Sequence, residues 1–360
     1  MNPLVKAQRI RSRAGAHRLI ALSLSYERAP LLARGFGLEH LRELLVLLAR
    51  PLLRQGASLA YGGRLQERND NFTFDLLRLV SAEQDEAAER EKSGGTDDVQ
   101  PIGRLYNYSA WPHYLRITPA LEARWINSCR IIRIDQAMAG ITPDGRIPDG
   151  DVDPACDPER DLANLPRKLA LNGAICLSAM RRMAMDGLAL TSPDVPRTES
   201  VPPVSIRIVL GGRLSGFSGF LPGIFEEVLL TLERGVPLYL MGGFGGAAEV
   251  IARALLAPPG TPLPEPLNAG WHITNTPRLD TLRKLQGMQP LPFGILDTET
   301  GLARLRAAIE QARAGLPQAL KTGLDDIETR ELMETRDMRR AAALVHKGLA
   351  QNDPSEVPAA

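Results

Sequence analysis

Paired glycines stand at three places where a strand-like run gives way to a helix-like one: Gly62-Gly63, Gly211-Gly212, and the longer Gly242-Gly243-Phe244-Gly245-Gly246. Glycine lets a backbone approach a phosphate closely and take up positive φ without steric cost, and a helix starting just beyond offers N–H groups and a positive dipole end. A single pair need only make a tight turn. Three on successive strand ends point to a phosphate-bearing ligand, because in a parallel α/β sheet the ligand crevice lies outside the carboxyl ends of the strands. Gly62, Gly63, Gly211, Gly212, Gly242, Gly243, Gly245 and Gly246 are therefore expected at the ligand.

A phosphate held only by amides keeps uncompensated charge, and arginine offers it a planar fork. Arg181, Arg182 and Arg213 are near enough in the pattern to supply one, with Arg182 reading as solvated surface. Pro222 and Gly223 open a helix whose first turn carries Glu226 and Glu227. One of these could accept hydrogen bonds from ribose hydroxyls while the other complements the helix dipole; spacing does not separate them. Were the site catalytic, the chemistry would be N-glycosidic hydrolysis, with Glu226 or Glu227, supported by Arg181, stabilising cationic character at the ribose as the base departs. His113, beside Trp111 and Tyr114, reads as packed. Asp149, Asp151 and Asp153 alternate like the first ligands of a calcium loop, but Pro154 and Arg160 occupy the positions that need glycine and glutamate. An acidic surface loop is expected there, and no metal site.

The elements that must position these residues can be read from periodicity. Arg18 to Ser25 is a strand-length apolar run, Leu38 to Leu53 carries leucines at helical spacing, Ala57 to Tyr61 is a second strand, and Phe72 to Val80 is again helical. A helix is expected from Pro166 to Gly187 and a buried strand at Ser205 to Leu210. A second helix runs from Pro222 to Arg234, ending at Gly235, then a strand from Val236 to Met241 and a helix from Ala247 to Leu256. Further helices are expected at Gly301 to Ala314 and Ile327 to Leu349. This alternation predicts a Rossmann-like three-layer α/β fold with a mostly parallel central sheet plus helical and loop insertions. The expected organisation is a disordered basic arm over 1–17, one domain over 18–350 with loop insertions near 83–100, 142–163 and 191–204, and a disordered tail over 351–360.

At 360 residues, 44% hydrophobic and 24% charged, the chain has an ordinary globular balance. Its formal net charge of +1 gives no field for nucleic acid or acidic lipid, so an anionic partner must be small and met locally. Cys129, Cys156 and Cys176 show neither disulfide nor zinc spacing and read as reduced thiols. No run approaches the length of a transmembrane span and no signal-peptide core is present, so a cytoplasmic location is expected. LSLSYERAP follows the first strand where a dinucleotide oxidoreductase would carry G-x-G-x-x-G, which argues against that class.

The stretches IVLGGRLSGFSGFLPGIFEE (208–227) and PLYLMGGFGGAA (237–248) resemble the SLOG superfamily, in particular its bacterial defence-associated branch. LSLSYE, YGGRL, NFTFDLL, SAMRR and the terminal GLDDIETRELMETRDMRRAAALVHKGL support the resemblance, which spans roughly 18–350. The superfamily includes the LOG phosphoribohydrolases, the nucleotide-sensing domains of TRPM channels and the sensor domain of Thoeris antiphage effectors. The resemblance implies binding of an NAD-derived, ADP-ribose or cyclic ADP-ribose type signal, with no other cofactor. It places ligand contacts on Arg181, on Arg213 after the glycine pair, and on Glu226 or Glu227, and adds Ser23 and Ser25 of LSLSYE. In LOG hydrolases the glutamate follows the glycines directly in P-G-G-x-G-T-x-x-E; here Arg213 to Leu221 intervene, so a sensor is expected before a hydrolase. The sequence carries no TIR, sirtuin or membrane effector, and signalling is expected to pass through a separate effector protein or a homo-oligomer.

Overall fold

A computed structural model of the chain describes residues 18–66, 71–92, 103–153, 166–192, 195–287 and 290–352. The basic arm at 1–17, most of the tail, Cys156 and the parts of the expected loops at 93–100 and 154–163 lie outside these residues.

Six strands form one parallel sheet: β1 (Leu19–Ser25), β2 (Ser58–Tyr61), β3 (Leu105–Ala110), β4 (Cys129–Ile134), β7 (Ile206–Gly211) and β8 (Leu238–Met241). Between β4 and β7 the chain forms an antiparallel ribbon of β5 (Leu188–Ser192) and β6 (Val195–Val201). The order across the main sheet is β4-β3-β2-β1-β7-β8. The chain thus winds outward from β1 to β4, returns to pair β7 beside β1, and winds the other way. β1 pairs in parallel with both β2 and β7, through Leu19↔Ser58 and Ile20↔Ile206. The gap outside the carboxyl ends of β1 and β7 is the topological switch point, where open α/β sheets bind ligands.

Both sheet faces are covered, as parallel sheets require. On one face lie α2 (Leu38–Arg54) and α3 (Thr73–Lys92), preceded by the short α1 (Arg28–Leu32). Leu41, Leu44, Leu48 and Leu52 recur at helical spacing and are buried against Ile20, Leu22 and Leu59 of the sheet. The short α4 (Pro119–Trp125) joins β3 to β4 and adds Trp125 to the first face, and the other face is closed by α5 (Arg167–Asp186), α6 (Gly223–Glu233) and α7 (Gly246–Leu256). Ala170, Ala174 and Ile175 of α5 pack on Ala21, Ala60 and Tyr108. Small residues there let the helix lie close to the sheet. After α7 come α8 (Ala269–Asn275), α9 (Arg278–Gln286), α10 (Thr298–Arg313), α11 (Leu316–Leu320), α12 (Asp326–Glu334) and α13 (Met338–Gln351). Leu302, Leu305 and Ile309 of α10 pack against α6 and α7, while Ala341, Leu344 and Val345 of α13 join the core under α2.

The expected fold class is the observed one, and several elements differ in detail. β3 and β4 escape the apolar pattern because LYNYSA and CRIIRI interleave polar residues. Asn107 is buried and donates through Nδ2 to the Gly63 carbonyl at 2.9 Å, while Arg133 pairs with Glu122 at 2.6 Å. The charged stretch from residue 83 continues α3 to Lys92, since Glu83 is buried between Arg50 at 2.7 Å and Arg54 at 2.5 Å. Residues 191–204, expected as a loop, contain most of the β5–β6 ribbon, in which every strand is an edge and proline is tolerated. The terminal helical segment is two helices: Asp337 caps α13 by accepting from the amides of Arg339 and Arg340.

Candidate functional site

The ends of β1, β2 and β3, the loop after β7 and the first turn of α6 enclose a cavity of about 250 Å³ at the switch point. Ser23, Ser25 and Tyr26 come from β1 and its exit, Gly62, Gly63 and Arg64 from that of β2, and Tyr108 and Ser109 from β3. Arg213, Gly216, Phe217 and Ser218 come from the loop after β7, Gly223 and Glu227 from α6, and Met180 and Arg181 from α5. Of the residues expected at a ligand, Ser23, Ser25, Gly62, Gly63, Arg181, Arg213, Gly223 and Glu227 are brought together here. Gly211, Gly212, Pro222, Glu226 and the Gly242–Gly246 turn do not line the cavity.

Two glycines admit α5 to this place. A Cβ on Gly62 would meet Met180 Cε at 3.2 Å, and one on Gly223 would meet Arg181 Nη2 at 2.9 Å. Bare backbone at these turns therefore lets consecutive residues of α5 reach over β2 and over the start of α6. Arg181 Nη1 donates to Glu226 Oε2 at 2.5 Å, and its Nε lies 3.7 Å from Glu227 Oε1. The two glutamates that spacing leaves equivalent are thus distinct. Glu226 is buried behind the wall as the anchor of Arg181, while Glu227 presents its carboxylate to the cavity. Arg182 points away, its Nη1 donating to the Phe293 carbonyl at 2.5 Å.

Beneath the cavity floor is Arg207 of β7, only 4% exposed. Its Nη1 donates to Ser23 Oγ at 2.6 Å and lies 3.2 Å from Glu227 Oε2, its Nε donates to Thr231 Oγ1 at 2.9 Å, and its Nη2 lies 2.9 Å from Met185 Sδ. Burial works against its charged form, and Glu227 opposes that effect. An unpaired guanidinium here would be very costly, so Glu227 and Arg207 hold each other in place. Sequence reading passes over Arg207 as part of a strand; the available signal is a lone arginine inside the apolar run SIRIVL.

Glu27 follows β1 and interacts with Arg213. Burial raises its carboxyl above the usual range, against the opposing charge of Arg213 and a hydrogen bond from the Leu214 backbone. The Arg213–Leu221 segment is an inner wall with Phe217, Phe220 and Leu221 buried. Behind it the fully buried His272 meets Phe217 and Phe225 edge-on at centroid distances of 5.6 and 5.8 Å, and its Nε2 is 2.6 Å from the Pro266 carbonyl. Burial holds that imidazole below its usual pKa. His113, read from sequence as packed, also lines the cavity. Its neighbour Trp111 is fixed by a bond from Nε1 to Asp149 Oδ1 at 2.9 Å, so the acidic loop braces this wall.

The remaining glycines serve packing. Gly212, at φ +95°, has no room for a side chain beside Ile224, and its carbonyl accepts from the Ala247 amide at 2.9 Å. A Cβ on Gly243 would lie 2.0 Å from the Thr335 carbonyl. The turn after β8 is filled by the end of α12 on one side and by the Gly211–Gly212 turn on the other. Arg34 lies against Gly245 and pairs with Glu249.

A doubly wound parallel sheet with a polar crevice at its switch point defines a Rossmann-like α/β protein. The family model described as SLOG cluster2 matches residues 15–191 and 195–332, and the chain belongs to the SLOG superfamily. No curated protein matches the chain. Among the described residues no helix is long and apolar enough to cross a membrane.

Proposed function

We propose that the chain is a receptor for a small phosphorylated nucleotide derivative, of the NAD-derived, ADP-ribose or cyclic ADP-ribose type, bound at the switch-point cavity. The observation that carries this reading is that Arg181 and Arg213 line one cavity with the first turn of α6. Two guanidinium groups beside a helix N-terminus suit an anion. A volume of about 250 Å³ is just below the roughly 300–1,000 Å³ usual for drug-sized ligands, so the cavity suits one nucleotide-sized half of such a ligand, the rest lying outside it. Binding would order the Arg213–Leu221 wall and shift an oligomeric or effector-binding equilibrium, in antiphage or stress signalling. A hydrolytic reading rests on Glu227 alone, a carboxylate facing the same cavity beside Arg181.

Calorimetry with ADP-ribose, cyclic ADP-ribose and NAD tests the receptor. Truncating a charged group that contacts the ligand costs about 2–5 kcal/mol, so Arg181→Ala or Arg213→Ala should weaken binding roughly thirtyfold or more. Absence of binding to folded wild-type protein removes the basis of the proposal. Chromatography after incubation with nucleoside monophosphates separates receptor from hydrolase: released base that disappears in Glu227→Gln supports hydrolysis.

A further inference from the structure

The tetrapeptide Gly-Gly-Arg-Leu occurs twice in the chain, at residues 62–65 and 211–214. Each copy stands at a strand end: the first follows Tyr61, the last residue of β2, and the second begins at Gly211, the last residue of β7. β2 and β7 both pair with β1, so the two turns flank its carboxyl end and lie about 9.5 Å apart, two strand spacings.

The copies are built alike. Leu65 is buried in the core on the α2 side of the sheet, and Leu214 packs against the core formed with α6, α7 and α10. With each leucine tied to a core, the arginine before it reaches the cavity, which Arg64 and Arg213 both line. The carbonyl of the second glycine is occupied in each copy: that of Gly63 accepts from Asn107 Nδ2 at 2.9 Å, and that of Gly212 from the Ala247 amide at 2.9 Å. In the first copy Asn71 Nδ2 also donates to the Arg64 carbonyl at 2.5 Å and to the Gln66 carbonyl at 2.7 Å. These bonds engage the negative ends of the turns elsewhere, so the guanidinium dominates what each turn offers a guest.

Two guanidinium groups reaching over one strand end from opposite sides suit a guest with two adjacent anionic groups. Each has five N–H donors in a planar fork, enough for a carboxylate and a phosphate at once, so the attraction between Glu27 and Arg213 does not use up the latter. A monophosphate fully engages one fork. A diphosphate, with oxygens on two phosphorus atoms, engages both. We propose that the two Gly-Gly-Arg-Leu turns form a diphosphate clamp, with Arg64 as a second phosphate-binding residue opposite Arg213, and that the site therefore selects diphosphates over monophosphates. The proposal rests on the receptor reading above and adds a residue and a selectivity to it.

The test is calorimetric titration of the full chain with AMP, ADP and ADP-ribose. ADP and ADP-ribose should each bind roughly ten- to a hundredfold more tightly than AMP, the usual worth of hydrogen bonds to a charged group. Arg64→Gln should bring both down to within a few-fold of AMP, while AMP, which can use the remaining fork, changes by no more than a few-fold. Arg182→Gln removes a positive charge that points away from the cavity and should leave the preference intact; an equal loss there would mean that the preference reports net charge alone, and overturns the clamp. A preference for ADP that survives in Arg64→Gln also overturns it. Equal affinities of wild-type protein for AMP and ADP overturn the clamp and leave the receptor reading standing. Failure of all three compounds to bind folded protein overturns both. The wild-type comparison needs no variant, so the clamp stays open to refutation even where Arg64→Gln folds poorly.

Discussion

The junction of α5 and α6 makes a sharp prediction when Arg181 is removed. The Arg181–Glu226 pair is buried, with side chains 12% and 6% exposed, and the Glu226 carboxylate has no other side-chain partner among the described residues. Arg181→Met keeps the bulk of the side chain and leaves Glu226 charged and alone, which for a buried pair costs about 3–5 kcal/mol. Pairing the change with Glu226→Leu removes the stranded charge, and replacing both partners by apolar groups is often close to neutral. The double variant should therefore recover at least about 2 kcal/mol of the single variant's loss in urea denaturation followed by circular dichroism, an interaction far above additivity. Ligand binding should not recover, because Arg181 also faces the cavity. Two outcomes refute the reasoning: losses that simply add would mean that Arg181 and Glu226 are not coupled, and restored binding would mean that Arg181 acts only as a scaffold.

Other perturbations follow from the same geometry. Because burial raises the Glu27 carboxyl, its ionisation costs the folded state near neutral pH, and the cost disappears as pH falls below the ordinary carboxylate range. Glu27→Gln should be more stable than wild type at pH 7 and lose that advantage by pH 4, as melting temperatures across this range would show. His272 is held below its ordinary value, so it contributes stability above about pH 6.5 that is lost as pH falls through the depressed value. His272→Gln should flatten the acid side of the stability profile in urea midpoints. Gly243→Ala, whose Cβ would sit against the Thr335 carbonyl, should lower the melting temperature without changing ligand affinity at low temperature. Gly223→Ala, whose Cβ would displace Arg181, should weaken affinity in the same titration.

Much of the architecture was legible in sequence because the buried strands and their covering helices are strongly periodic. LIALSLS and IRIVLG are buried on both faces and mostly apolar, and the leucines of α2 fall on one stripe. β3 was not legible because Asn107 and Ser109 interrupt its apolar run, Asn107 being a poor strand former until it is seen bound to Gly63. At the site, Arg213 and the P-G-I-F-E-E turn could be singled out because they follow a glycine pair at a strand end and open a helix, and the M-R pair through the resemblance to the SLOG superfamily. What one dimension could not convey is which glycine turns face inward. The Gly62 and Gly223 turns make room for α5, whereas the Gly243 turn is filled by α12, an element about ninety residues further along the chain. Nor could spacing separate Glu226 from Glu227, since that distinction depends on two arginines from different elements, Arg181 and Arg207.

The most direct test is a crystal structure of the chain grown with ADP-ribose. The account predicts ligand density at the carboxyl ends of β1, β2 and β7, with a phosphate within hydrogen-bond reach of Arg213 and a ribose against Glu227. Density confined to the Gly242–Gly246 turn, or to the outer surface away from α5 and α6, would contradict it.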